Sequence, residues 1–271
     1  MDKFNQSLKY SFGDIAEEYD AIRPGYPTEL YNTLVLHCQL NSTTKALEIG
    51  CGTGQATIDL IKHIGKLLCI DLGEEQIRIA KTAFKNHKNI TFKAVAFENF
   101  EISKQQFDLI FCAQAFHWLD PEKRFLQTSK LLKNKGYLAL IWNIDSSVST
   151  SLQEKIDILY QKIVPSEPSF SERQAIFTKD VEQTKVQMTE CGYFANVVSY
   201  IYENPHTYDS DSYIRLISTY AYIRAIDSTV RDRLFDAISK TVDSAGGEIT
   251  VFHNTHFVVG LKRPMRPIRG I

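Results

Sequence analysis

Residues 46–57 read ALEIGCGTGQAT, and no other stretch restricts the fold of the chain so much. An apolar run, a turn with glycine at every second position (Gly50, Gly52, Gly54) and a helix-forming segment specify strand, tight turn, helix. Glycine takes up positive φ and tolerates close approach of other backbone, so this spacing predicts a loop pressed against a ligand. In parallel sheets such loops stand at the carboxyl ends of strands, where nucleotide-type molecules bind. The spacing also excludes two of them. A dinucleotide fingerprint needs G-x-G-x-x-G, but Gln55 and Ala56 follow Gly54. A phosphate-cradling loop ends in Gly-Lys-Ser/Thr, which is absent.

The rhythm continues downstream. KLLCIDL, ITFKAVA, FDLIFCAQA and YLALIWN read as further strands, with helices over EEQIRIAKTAFKN and PEKRFLQTSKLLKN and a turn at NKG. Strands alternating with helices of this length predict βαβ units and a mainly parallel sheet. Ahead of it, a helix around 14–19 breaks at RPGYP and resumes to Leu40. After Asn143 the pattern becomes helical, with a break at VPSEPSF. TKVQMTECGYFANVVSYIY then gives a helix and strand, DSDSYIRLISTYAYIRAI one aromatic-rich helix, TVRDRLFDAISKTVDSAG another, and EITVFHNTHFVVGLKR a long last strand. The expected organisation is an N-terminal helical cap segment (1–40), a ligand-binding core (41–145), and a helical substrate-covering region carrying the last two strands (146–262). A flexible basic tail (263–271) ends the chain.

Two acids narrow the ligand. Glu48, inside the first strand, would repel a pyrophosphate and suits a cation, such as the ammonium and sulfonium of S-adenosylmethionine. Asp71 ends the next strand, where a carboxylate accepts hydrogen bonds from ribose hydroxyls. ALEIGCGTG, CIDLGEEQI, FDLIFCAQAFHWLD and LLKNKGYLALIWN together resemble the class I S-adenosylmethionine-dependent methyltransferases. FGDIAEEYDAIRPGYP and QAFHWLD look like their type 11 small-molecule branch, which includes trans-aconitate methyltransferase-like proteins. The resemblance covers roughly residues 10–143. It implies an α/β fold: a Rossmann-like, seven-stranded, mostly parallel sheet with helices on both faces, an antiparallel last strand and a helical cap.

The resemblance also distributes roles. The cofactor set it implies is Tyr19, Arg23, Glu48, Gly50, Cys51, Gly52, Gly54, Asp71, Leu72, Gln76, Phe97, Glu98 and Gln114. Many relatives carry Gly-Asp-Ala after the third strand, to contact adenine; here Ala96, Phe97 and Glu98 stand there. Gln114 lies just past the fourth strand, in AQAF rather than the [N/D]-P-P-[Y/F] of enzymes that methylate base amino groups or glutamine amides. His117 is the catalytic candidate, a general base for a hydroxyl acceptor or a positioning group for a carboxylate. Tyr26, Trp118, Trp142, Asn143, Tyr220 and Arg224 join it on the acceptor side, and Arg215 is a further cation near an acidic acceptor.

Composition sets the outer limits. Lys+Arg 31 against Asp+Glu 32 gives no global field to draw the chain onto nucleic acid or an anionic membrane. Five scattered cysteines without a C-x-x-C pair predict reduced thiols and no zinc or other metal site. MDKFNQSLKY has no apolar core of a signal segment. A cytoplasmic monomer or homodimer acting on a small molecule, probing neither nucleic acid nor membrane, is the expectation. The expected activity is O-methylation of a carboxylate or hydroxyl. A non-catalytic S-adenosylmethionine-binding protein and an NAD-dependent oxidoreductase are the other readings.

Overall fold

The first strand, β1 (Lys45–Ile49), is buried at every position after Lys45, as a central strand covered on both faces must be. The computed structural model describes residues 22–101, 106–147 and 150–264. On one side β1 pairs in parallel with β2 (Lys66–Asp71), Glu48 opposite Cys69. On the other it pairs in parallel with β4 (Phe107–Ala113), Glu48 opposite Phe111. β3 (Ile90–Ala94) lies beyond β2 and β5 (Leu132–Ser147) beyond β4, both parallel.

Contacts divide the chain into two units. The core unit is Pro27–Trp142, Val181–Ile201 and His256–Ile271. Its strand order is β3-β2-β1-β4-β5-β8-β6, with β6 spanning Phe194–Tyr202 and β8 Glu248–Lys262. The order reverses between β1 and β4, the switch point at which a doubly wound sheet opens a crevice beyond its carboxyl ends. Helix α1 (Thr28–Cys38) buries Leu30, Tyr31, Leu34 and Cys38, and the Tyr31 hydroxyl donates to the Ala56 carbonyl at 3.1 Å. After the glycine turn come a short α2 (Thr57–Leu60), α3 (Glu74–Ala83) and α4 (Arg124–Leu131).

The second unit is Met1–Tyr26, Asn143–Asp180 and Tyr202–Thr255. It holds α5 (Thr150–Ile163), α7 (Ser210–Ser218), α8 (Ala221–Arg224) and α9 (Ser228–Ser244), while α6 (Phe170–Glu190) has residues in both units. Ile156, Tyr160, Tyr213, Leu216, Ile223, Leu234 and Ile238 form its buried centre. Asp209 caps α7 by accepting from the Ser212 N–H, and Asp227 caps α9 by accepting from Thr229 and Val230. Among the described residues no helix is long and apolar enough to cross a membrane.

The α/β class with a mostly parallel, Rossmann-like sheet is what forms, with three departures. An eighth strand, β7 (Pro205–Asp209), pairs antiparallel with β8 from Pro205↔Phe252 to Asp209↔Glu248. Strand β5 begins at Leu132, five residues before the YLALIWN run. Five residues of β5 then face two of β4, from Phe107↔Leu132 to Leu109↔Tyr137, and Lys135 takes φ 64° within that irregularity. The aromatic helix expected over 209–226 stops at Ser218. Thr219 bonds back to the Leu216 carbonyl at 2.6 Å, and Tyr220 turns extended (ψ 129°) before α8 begins. The helix at 14–19 and the tail beyond 264 lie outside the described residues.

Candidate active site

The glycine turn has the backbone its sequence demands. Gly50, Gly52 and Gly54 take φ of 68°, 54° and 109°, the region where a side chain is strained. A Cβ on Gly50 would lie 2.3 Å from the Ala115 Cβ, and one on Gly54 would lie 2.4 Å from the Phe84 ring. A Cβ on Gly52 would meet nothing within 4 Å. The outer two glycines are thus needed for packing, and the middle one faces open space.

Asp71 joins this turn to the end of β2. Its Oδ2 accepts from the Gly52 N–H at 2.9 Å and its Oδ1 from the Gly73 N–H at 2.8 Å. Burial pushes its carboxyl above the usual range, opposed by the N–H groups of Gly73, Gly52 and Leu72. Gln76, at the start of α3, is buried, and its Oε1 lies where a Cβ on Gly73 would fall. Leu72 is half-buried.

Glu48 is almost wholly buried, at 1 % exposure. Its Oε2 accepts from the Thr57 hydroxyl at 2.7 Å and from the Cys69 thiol at 3.4 Å. It therefore ties the strand before the glycine turn to the helix after it. Burial raises its carboxyl to about 7, against the pull of Thr57 and Cys69 and helped by the charge of Asp71. Cys51 is buried in the turn itself, its N–H donating to the Ile70 carbonyl at 3.2 Å.

After β3, the Phe97 ring is buried and the Phe97 carbonyl accepts from the Gln127 amide at 2.7 Å. Glu98 is exposed and accepts from the Asp120 N–H at 3.3 Å. After β4, Gln114 takes φ 58° with its N–H on the Ile141 carbonyl at 2.8 Å. A left-handed, non-glycine residue at the end of a central strand marks strain of the kind that gathers at functional sites. His117 and Trp118 lie on the turn Phe116–Trp118, their rings 4.8 Å apart. The His117 Nδ1 stands 3.2 Å from the Trp142 indole nitrogen.

All of these belong to the core unit. The remaining expected positions belong to the second unit. Arg23 donates from Nε to the Thr219 hydroxyl at 2.8 Å, and its guanidinium carbon lies 4.2 Å from the Tyr220 ring centre. Tyr220 donates its hydroxyl to Asp145. Asn143 accepts from Thr255 at 2.6 Å; Tyr26 and Arg224 are half-buried. Tyr19 lies outside the described residues.

Sequence reasoning missed Thr57, Ala115, Asp145 and His253. The Asp145 Oδ1 holds the His253 Nδ1 at 2.6 Å, and the His253 Nε2 meets the Tyr208 hydroxyl at 2.9 Å. Burial opposes the charge of Asp145, but His253, Arg23 and Tyr220 outweigh it and hold its carboxyl below the usual range. Partners 108 residues apart leave no local signal.

Residues 46–136 match the family described as a methyltransferase domain. The match runs from β1 through α4 and contains Glu48, the glycine turn, Asp71, Phe97, Gln114 and His117. Over these residues the chain is similar to methyltransferase domains. It is 27% identical over 236 residues to an uncharacterised methyltransferase of Schizosaccharomyces pombe, covering 86% of this chain and 88% of that one. A second, methyltransferase-like protein of the same yeast is 29% identical over 162 residues. That match covers 59% of this chain, which spans 62% of that relative's length. A solved structure from Anaeromyxobacter dehalogenans, described as a type II methyltransferase, shares the fold at 18% identity. Its TM-score is 0.63, over 88% of this chain and 97% of that one.

Proposed function

We propose that the chain transfers the methyl group of S-adenosylmethionine to an oxygen, carboxylate or hydroxyl, of a small molecule. The observation that carries the reading is the Asp71 carboxylate, held at the lip of the glycine turn by the N–H groups of Gly52 and Gly73. The residues fit the cofactor: a carboxylate is fixed where ribose hydroxyls would donate, and Gly52 leaves open space beside it. In this reading Asp71 takes the ribose, and Leu72, Phe97 and Glu98 flank the adenine. The turn Gly50–Gly54 with Gln114 borders the methionine end. Glu48 supports the turn through Thr57.

The bound cofactor supplies a methyl on a positively charged sulfur that leaves as a neutral thioether. The protein's part is to align acceptor and methyl and to exclude water, a contribution of order 7–11 kcal/mol. His117 and Trp118, on the turn after β4, are proposed for the acceptor. The AQAF sequence after β4 supports oxygen over an exocyclic or amide nitrogen. The test is release of S-adenosylhomocysteine across a panel of small carboxylic acids, alcohols and amines, with Asp71→Ala as control. Turnover confined to carboxylic acids or alcohols, and lost in the variant, is the expected result. Turnover confined to amines, or none with any acceptor, would count against it.

A further inference from the structure

An indole N–H donates and has no lone pair to accept with. The Trp142 Nε1, 3.2 Å from the His117 Nδ1, therefore requires that nitrogen to present its lone pair. A neutral imidazole then carries its proton on Nε2, and an imidazolium would set one N–H against another. Both residues belong to the core unit, Trp142 on β5 and His117 on the turn after β4, whose Ala113 pairs with Ile141. The same turn begins beside Ala115, against which Gly50 packs. The ring's environment favours the neutral form as well. Burial lowers the His117 pKa to about 3, aided by the field of Arg124 on α4, the charged group acting on it.

We propose that Trp142 is a positioning residue that holds His117 as the neutral Nε2–H tautomer, and that the methyl acceptor is consequently a carboxylate. In that state His117 donates a hydrogen bond; its one lone pair is engaged by Trp142, so it takes no proton from a hydroxyl. A carboxylate asks for nothing more. Its oxygen forms the bond to the methyl carbon as the carbon–sulfur bond breaks, the electron pair stays on sulfur, and no proton moves. Trp142 thus acts on the reaction through His117 and not by touching the acceptor. The acceptor class rests on the methyl-transfer reading; the tautomer does not.

The test is nitrogen NMR of the full chain with labelled histidine, the His117 signals assigned by their loss in His117→Gln. The expected result is a fixed Nε2–H tautomer that does not titrate between pH 5 and 8. In Trp142→Phe the ring should exchange tautomers and titrate closer to the ordinary value of about 6.5. An Nδ1–H ring, or one titrating between pH 6 and 7 in the unaltered protein, would overturn the proposal without any variant needing to fold. Rates complete the test. With small carboxylic acids kcat/KM should stay flat from pH 6 to 8, and His117→Gln, whose amide can still donate, should retain activity within about tenfold. A hydroxyl acceptor turned over with a rate that follows a histidine titration would overturn it. The expected tautomer in a protein that methylates nothing would sink the acceptor class and the functional reading together, and leave Trp142 as the lock on His117.

Discussion

At the scale of single residues, the glycine turn and the acid behind it make separable predictions. Gly50→Ala adds a Cβ at positive φ and 2.3 Å from the Ala115 Cβ. Left-handed backbone costs about 1–2 kcal/mol for a residue with a Cβ, and overpacking about 1–3 kcal/mol. Urea unfolding should therefore show a loss of about 2 kcal/mol or more, with cofactor binding weakened in parallel. Glu48 offers a pH test. Its carboxyl rises from 4.5 to about 7 on folding, so the folded state holds the proton more tightly. The stabilisation is complete below pH 4.5 and is lost as pH rises towards 7, an effect of at most roughly 3 kcal/mol. Glu48→Gln should remove that slope. Unfolding measured at pH 5 and pH 8 should show the native protein losing stability relative to the variant; parallel pH profiles would contradict the assignment.

Among the elements, what the sequence disclosed was what local chemistry dictates. The strand–turn–helix at 46–60, Asp71 at the end of β2, the positions of β3 and β4 and the long last strand follow from period, glycine spacing and short apolar runs. The elements that misled are decided by distant partners. The helical period runs unbroken through 213–224, yet Thr219 gives its hydroxyl to a carbonyl behind it and accepts from Arg23, 196 residues away. β7 contains a proline and three polar residues, His206, Thr207 and Asp209, and exists because β8 offers it an edge. The Asp145–His253 pair has no local signature at all, although it anchors the end of β5 to β8 within the second unit. Removing one partner of a buried pair leaves the other uncompensated, at about 3–5 kcal/mol. Asp145→Asn should lower stability by that order in denaturant unfolding. Because the folded Asp145 carboxyl titrates below its ordinary 3.8, the contribution is present at neutral pH and lost on acidification. A variant that unfolds at the native denaturant concentration would show the pair to be dispensable.

For the molecule as a whole, the glycine turn, Asp71 and His117 with Trp142 belong to the core unit. Arg23, Asp145, Tyr220 and His253 belong to the second. A ligand that binds only the folded protein stabilises it by mass action, about 2.7 kcal/mol at a hundredfold excess over Kd. For a chain of 271 residues that is a rise in Tm of roughly 5–10 °C. S-adenosylmethionine should produce it and NAD should not. The most direct test of the central claim is calorimetric titration of the full chain with S-adenosylmethionine and S-adenosylhomocysteine, beside NAD, in the native protein and in Asp71→Ala. Asp71 makes charge-assisted hydrogen bonds worth about 1.5–3 kcal/mol each, so its loss should weaken binding at least tenfold. Saturable binding of both sulfur ligands, none of NAD, and that weakening in the variant are what the account predicts. Preference for NAD, no binding of either sulfur ligand, or binding indifferent to Asp71→Ala would contradict it.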